Sequence, residues 1–169
     1  MPPKPTLNVN HLALSVPDIG AAVDWYTSVF GFTMIGSVME VNKNSPTGPV
    51  ISSIYGEEFE QVKLAILTSA NGVGLEIFEF VRPKYNGPER RVDWCPDTYT
   101  RGGVFHFCFT VANVEETARR AIESGGKNVG VLVEPAEGEQ AFFVQDPWGN
   151  VIELLSCSFD VLFLKRLGG

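Results

Sequence analysis

Hydrophobic and polar positions alternate, then recur at helical spacing, then alternate again, and this cycle runs twice along the chain. Leu12, Leu14 and Val16 share one parity, and His11, Ala13 and Ser15 share the other. Successive side chains leave a strand on opposite sides, so the pattern predicts a strand over 7–16 with two unlike faces. Pro17 ends it, and Asp18 stands where a helix N-cap belongs. Ala21, Ala22, Trp25 and Val29 run at helical spacing to Phe30, and Gly31 is a suitable stop. A strand over about 33–41 follows, and a hairpin of 62–68 and 74–81 closes the first cycle across Ser69, Ala70, Asn71 and Gly72.

The second cycle repeats that order. Phe105, Phe107, Phe109 and Val111 lie on one face of a predicted strand over 104–111, with His106, Cys108 and Thr110 on the other. Asn113 caps a helix over 114–124 that Gly125 and Gly126 terminate. A short strand over 129–133 precedes a hairpin of 140–145 and 150–157. Its turn is Asp146-Pro147-Trp148-Gly149, where proline presets φ and glycine accepts a positive value. Each half thus reads strand, helix, three strands. The segment 42–60, rich in Asn, Ser, Gly and Pro, reads as an insertion, and 82–103 as a long connector. A loop of that length in a compact domain is usually functional or ordered by a partner.

Composition narrows the class. A chain of 169 residues fits one domain of two modules, about 7–81 and 104–157, with the connector 82–103 and a tail 158–169. Hydrophobic residues at 44% against 20% charged indicate a globular core rather than disorder. A net charge of -7 argues against a nucleic-acid partner, which needs a basic face. No apolar run approaches the roughly 18 residues of a membrane span. Residues 1–6 lack the apolar stretch of a signal peptide. No membrane partner and a cytoplasmic location are therefore expected. Cys95, Cys108 and Cys157 cannot all pair, and their spacing matches no zinc knuckle, so free thiols are expected.

Candidate chemistry rests on four residues. The only two histidines, His11 and His106, lie on the first strand of each half, facing away from the bulky row that must cover the helix. The last strand of each half carries a glutamate among apolar neighbours, Glu76 and Glu153. A carboxylate there is costly to bury unless it is paired or bound to a metal. Glu79 has the opposite parity to Glu76, so only one of the two can share the histidine's face. The histidine precedes its glutamate by 65 residues in the first half and 47 in the second, and the difference is about the length of the insertion. Two neutral imidazoles and two carboxylates neutralise one divalent ion, and such mixed donors suit zinc, nickel, cobalt, manganese or iron. Each residue also has a plainer reading, as a satisfied core histidine or a hydrogen-bonded carboxylate.

The stretches His11 to Asp18, Trp25-Tyr26 through Val29-Phe30-Gly31-Phe32, and Asp146-Pro147-Trp148-Gly149-Asn150-Val151-Ile152-Glu153-Leu154 resemble the vicinal oxygen chelate superfamily, the glyoxalase, bleomycin-resistance and dioxygenase group. The resemblance covers most of 7–156 and implies an α+β fold of two βαβββ modules forming a cupped mixed sheet around one divalent metal ion. It places the ligands on His11, Glu76, His106 and Glu153, with Glu76 or Glu153 as the catalytic base. The connector departs from the pattern. Its Arg90, Arg91, Trp94, Tyr99 and Arg101 could close over a small-molecule substrate, arginine holding an acid group and aromatics covering a ring; the alternative is a solvated loop. The apolar stretch 159–167 should pack on the core or on a second subunit, and a homodimer is plausible.

Three functions are open on these residues. The first is a lyase or isomerase, glyoxalase- or epimerase-like, that stabilises an enolate or related oxyanion of a vicinally oxygenated substrate. The second is an extradiol-type iron(II) dioxygenase, which prefers two histidines and one carboxylate. The third is a non-enzymatic small-molecule binding or resistance protein. The full quartet favours the first.

Overall fold

The computed structural model describes residues 7–88 and 90–168. Residues 1–6, on which the signal-peptide reading rests, lie outside them. The chain divides into two compact units, Met1–Gly87 and Pro88–Gly169. The boundary falls inside the expected connector and leaves most of it with the second unit.

The first unit contains β1 (His11–Ser15), α1 (Ile19–Phe30), β2 (Thr33–Met34), β3 (Met39–Asn42), α2 (Gly48–Tyr55), β4 (Gln61–Thr68) and β5 (Gly74–Arg82). Its sheet runs β1-β5-β4-β2, with β3 also on β4. β1 is parallel to β5, and the other pairs are antiparallel. The alternation in β1 is observed: Leu12 and Leu14 are half-buried and Val16 is buried, while His11, Ala13 and Ser15 are exposed. The other layer is α1, which buries Ile19, Ala22, Trp25, Tyr26 and Val29. Asp18 caps it by accepting from the Ala21 amide at 3.0 Å, and Gly31 ends it at φ 72°, a left-handed conformation that glycine adopts without a Cβ penalty.

Two expectations for this unit need correction. The single strand over 33–41 is broken into β2 and β3. Met34 pairs with Leu67 and Met39 with Leu64, so the edge advances five residues while β4 advances three. Gly36, at φ 75°, lies in the break. The insertion 42–60 is also not all loop, because it holds α2. Helix α2 is built from Gly, Pro, Val, Ile, Ser and Tyr, mostly weak helix formers. It is held instead by packing: Ile51 lies against Val41, Phe59, Val62 and Phe78.

The second unit contains α3 (Pro96–Tyr99), β6 (Phe107–Thr110), α4 (Val114–Glu123), β7 (Lys127–Ala136), β8 (Glu139–Gln145), β9 (Val151–Leu155) and α5 (Phe159–Leu167). Its sheet runs β6-β9-β8-β7, again with the first strand parallel to the last. The sheets share one plan, and the mixed α+β class expected from the repeat is what the structure has. Strand β6 starts at Phe107, three residues later than the alternation predicts, and β7 is about twice its predicted length. In the turn that follows β8, Asp146 is fully buried and Pro147, Trp148 and Gly149 are half-buried. The Asp146 carboxylate accepts from the amides of Trp148 (3.0 Å) and Asn150 (2.8 Å) and from the Asn150 side-chain amide (2.7 Å), while Gly149 takes φ 97°.

The tail forms α5 and packs on its own module, where Leu162 is buried with Ala141 and Leu155. The connector is tied to this unit by the buried Gln145, whose side chain donates to the Val92 carbonyl (2.9 Å) and accepts from the Trp94 amide (3.3 Å). All three cysteines are free thiols. No helix among the described residues is long and apolar enough to cross a membrane.

Candidate metal centre

Each unit brings one histidine to one glutamate, by the same register. In the first sheet Glu76 pairs with Ala13, two residues past His11. In the second, Glu153 pairs with Cys108, two residues past His106. With a period of two, that offset sets imidazole and carboxylate on the same sheet face on adjacent strands. His11 Nε2 lies 3.5 Å from Glu76 Oε2, and His106 Nε2 lies 3.4 Å from Glu153 Oε2. Both contacts are longer than a good N–H···O hydrogen bond. Two donors that each hold one first-row ion at about 2.1 Å stand about 3.0 to 3.5 Å apart, depending on the angle. Each separation is one that two donors to the same ion can have. Among the described residues no group of three or more His, Cys, Asp or Glu side chains is drawn together, and each unit by itself holds one His–Glu pair.

The surroundings fix these side chains differently. His11 Nδ1 lies 2.7 Å from the Asn10 side-chain oxygen, which orients the ring from behind. His106 is oriented by rings: Phe105 stands edge-on at 4.6 Å and Phe143 at 5.5 Å, while its buried Nδ1 has no hydrogen-bond partner among the described residues. Desolvation, then the adjoining Glu153 carboxylate, push the Cys108 thiol up to about 12, although the residue still meets solvent. The thiol therefore stays protonated beside the Glu153 carboxylate, with which Cys108 is paired across the strands. Glu79 lies on the opposite face of β5, as its parity requires, where it accepts from the Ile19 amide (3.0 Å) at the start of α1 and from Lys63 (2.7 Å).

The connector residues are divided. Trp94 and Tyr99 pack at 5.0 Å, and Trp94 reaches Phe105 at 6.2 Å, so an aromatic chain leads to His106. Arg91 instead donates to the Gly125 carbonyl at 2.9 Å, a contact that anchors the connector. Arg90 and Arg101 are exposed. Sequence reasoning missed Phe143, which could have been found from its pairing opposite Glu153 in the final hairpin.

The model of the Glyoxalase/Bleomycin resistance protein/Dioxygenase superfamily matches residues 8–154. The chain belongs to that superfamily. A 2-epi-5-epi-valiolone epimerase from Actinomyces sp. is 23% identical over 88% of this chain and 78% of its own length. A lactoylglutathione lyase from Schizosaccharomyces pombe is 29% identical over 90% of this chain, which spans only 48% of that protein. A glyoxalase family protein from Bacillus cereus superposes with a TM-score of 0.75 at 18% identity, over 92% of this chain and 97% of the other. That likeness establishes the superfamily fold and no particular reaction.

Proposed function

We propose that the protein is a divalent-metal-dependent lyase or isomerase acting on a small vicinally oxygenated substrate. His11, Glu76, His106 and Glu153 would together hold one ion, of zinc, nickel, cobalt, manganese or iron. The observation that carries this reading is the identical His–Glu offset in both modules, with donor separations that suit a shared ion. The epimerase and lyase relatives support a reaction class in which a proton leaves and returns at carbon.

When bound, a divalent ion polarises adjacent substrate oxygens and acidifies the neighbouring C–H. The chain must then supply a base in reach of that carbon. We assign that base to Glu76 or Glu153. Trp94 and Tyr99 would exclude water on the His106 side. The exposed Phe159, Leu164 and Leu167 of α5 are the surface through which we infer a homodimer, which light scattering after gel filtration would read as twice the chain mass.

Metal analysis of untagged protein tests the assignment. About one ion per chain is expected, and single substitutions Glu76→Gln and Glu153→Gln should each weaken metal affinity by at least about tenfold, the low end of what losing even a hydrogen-bond partner of a ligand costs. Two ions per chain would mean independent half-sites and would sink the quartet. Full retention of metal by Glu76→Gln would favour the three-ligand dioxygenase reading.

A further inference from the structure

The two His–Glu pairs share a register but not their surroundings. The residue before the histidine is Asn10 in the first module and Phe105 in the second. The residue paired opposite the glutamate in the hairpin is Ile66 in the first and Phe143 in the second. The shared strand plan therefore does not require rings at this place. The alternation assigns Phe105 to the row of Phe107 and Phe109, but β6 begins only at Phe107. Phe105 joins other partners instead. Its ring stands 4.6 Å from His106 and 6.2 Å from Trp94, and Trp94 meets Tyr99 at 5.0 Å. These rings and the His106–Glu153 pair all belong to the second unit.

This run of rings is not core. Phe105 keeps 49% of its surface open and Tyr99 42%, while Trp94 is half-buried. It is nevertheless held firmly on both sides. Gln145 is buried; its side chain donates to the carbonyls of Val92 (2.9 Å) and Gly149 (3.2 Å) and accepts from the Trp94 amide (3.3 Å). Lys127 pairs with Asp93 at 2.7 Å. Beyond Trp94, the Thr98 hydroxyl accepts from the Cys95 amide (3.1 Å) and donates to the Cys95 carbonyl (2.7 Å), which fixes the turn that carries Tyr99. Gln145 grips the backbone of residue 94 and leaves its indole to pack on rings. Open aromatic surface that is already ordered has little further ordering to lose when a ligand covers it.

We propose that Phe105 and Trp94, extended by Tyr99, form an aromatic subsite beside the His106–Glu153 pair that takes a flat ring of the substrate while its adjacent oxygens face that pair. The substrate class is then an aryl compound with vicinal oxygens. This rests on the proposed metal-dependent function and assigns the specificity of the same site. The second module is thereby the selective one.

The test uses cobalt-loaded full-length protein and three probes that chelate through adjacent oxygens: acetohydroxamate, benzohydroxamate and cyclohexanecarbohydroxamate. Binding is read from the visible cobalt absorption. The parent is expected to favour phenyl over methyl by about tenfold, the size of one aromatic contact plus burial of the ring. It should favour phenyl over cyclohexyl, which has the bulk without the flat face, by about threefold. Phe105→Leu and Trp94→Leu keep apolar volume and leave the Gln145 bonds to the backbone in place. Each should cut the phenyl-over-methyl preference to about threefold or less by weakening the phenyl arm alone. Trp94→Phe should keep the preference, and Ile54→Ala on the exposed side of α2 should leave it unchanged. A variant that merely displaces His106 weakens both probes together and preserves their ratio. A parent that binds cyclohexyl as tightly as phenyl, or a preference that survives both leucine substitutions, overturns the subsite alone. Failure of the parent to take up cobalt overturns the metal-dependent function as well.

Discussion

Parity accounts for most of what single residues reveal here. His11, Glu76, His106 and Glu153 were legible because a period of two assigns each to a face, and an imidazole or carboxylate among apolar residues stands out. The same rule sent Glu79 to the opposite face, where it meets the first amide of α1 and Lys63. Asp146 was read as a turn residue, but its burial was not foreseen. Three donors converge on that carboxylate. Asp146→Ala leaves them without their acceptor in a closed turn, and should cost about 2–3 kcal/mol in urea unfolding. A loss below about 0.5 kcal/mol would show that the turn holds itself by backbone alone.

Elements were read well where a cap and a periodic face agree, as in α1 and α4, whose Asp18 and Asn113 caps both form. They were read poorly where tertiary packing overrides local preference. The split of β2 from β3 follows from a register slip on β4 that no sequence period encodes. Helix α5 shows how a tail becomes an element. Lys165 binds the Glu139 carboxylate on β8, and Ser156 donates to that carboxylate at 2.5 Å. The Lys165 hydrogen bond, then that of Ser156, hold the Glu139 carboxyl below its usual range, and Glu139 in turn raises the Lys165 ammonium. A lowered carboxylate contributes stability above its unfolded value, near 4.3, and loses it as pH falls through the lower folded value. A raised lysine contributes below about 10.4 and loses it as pH climbs past the higher folded value. Glu139→Gln should therefore be less stable than the parent across that interval and converge with it in acid. Parallel urea curves at every pH would dismiss the anchor.

For the molecule as a whole, repetition is the informative feature. Two sheets with one strand plan, each with a histidine at its first strand and a glutamate on its last, were implied by pattern alone, whereas the insertion, which breaks the repeat and holds α2, was the part the pattern misread. A ligand that binds only the folded chain raises its stability, by about 2.7 kcal/mol at a hundredfold excess over its Kd. Removing metal with a chelator should thus lower the melting temperature, and restoring one divalent ion should bring it back. A midpoint indifferent to both treatments would speak against a resident ion.

In each module the opening strand lies alongside the closing one. The imidazole and its carboxylate are therefore neighbours in space but sit at opposite ends of their stretch of chain. During synthesis the first of them emerges long before the second exists, and nothing shorter than a finished module can hold both in place. With the proposed metal site, capture of an ion would certify completed folding, and a truncated or misregistered product would be left without that chemistry.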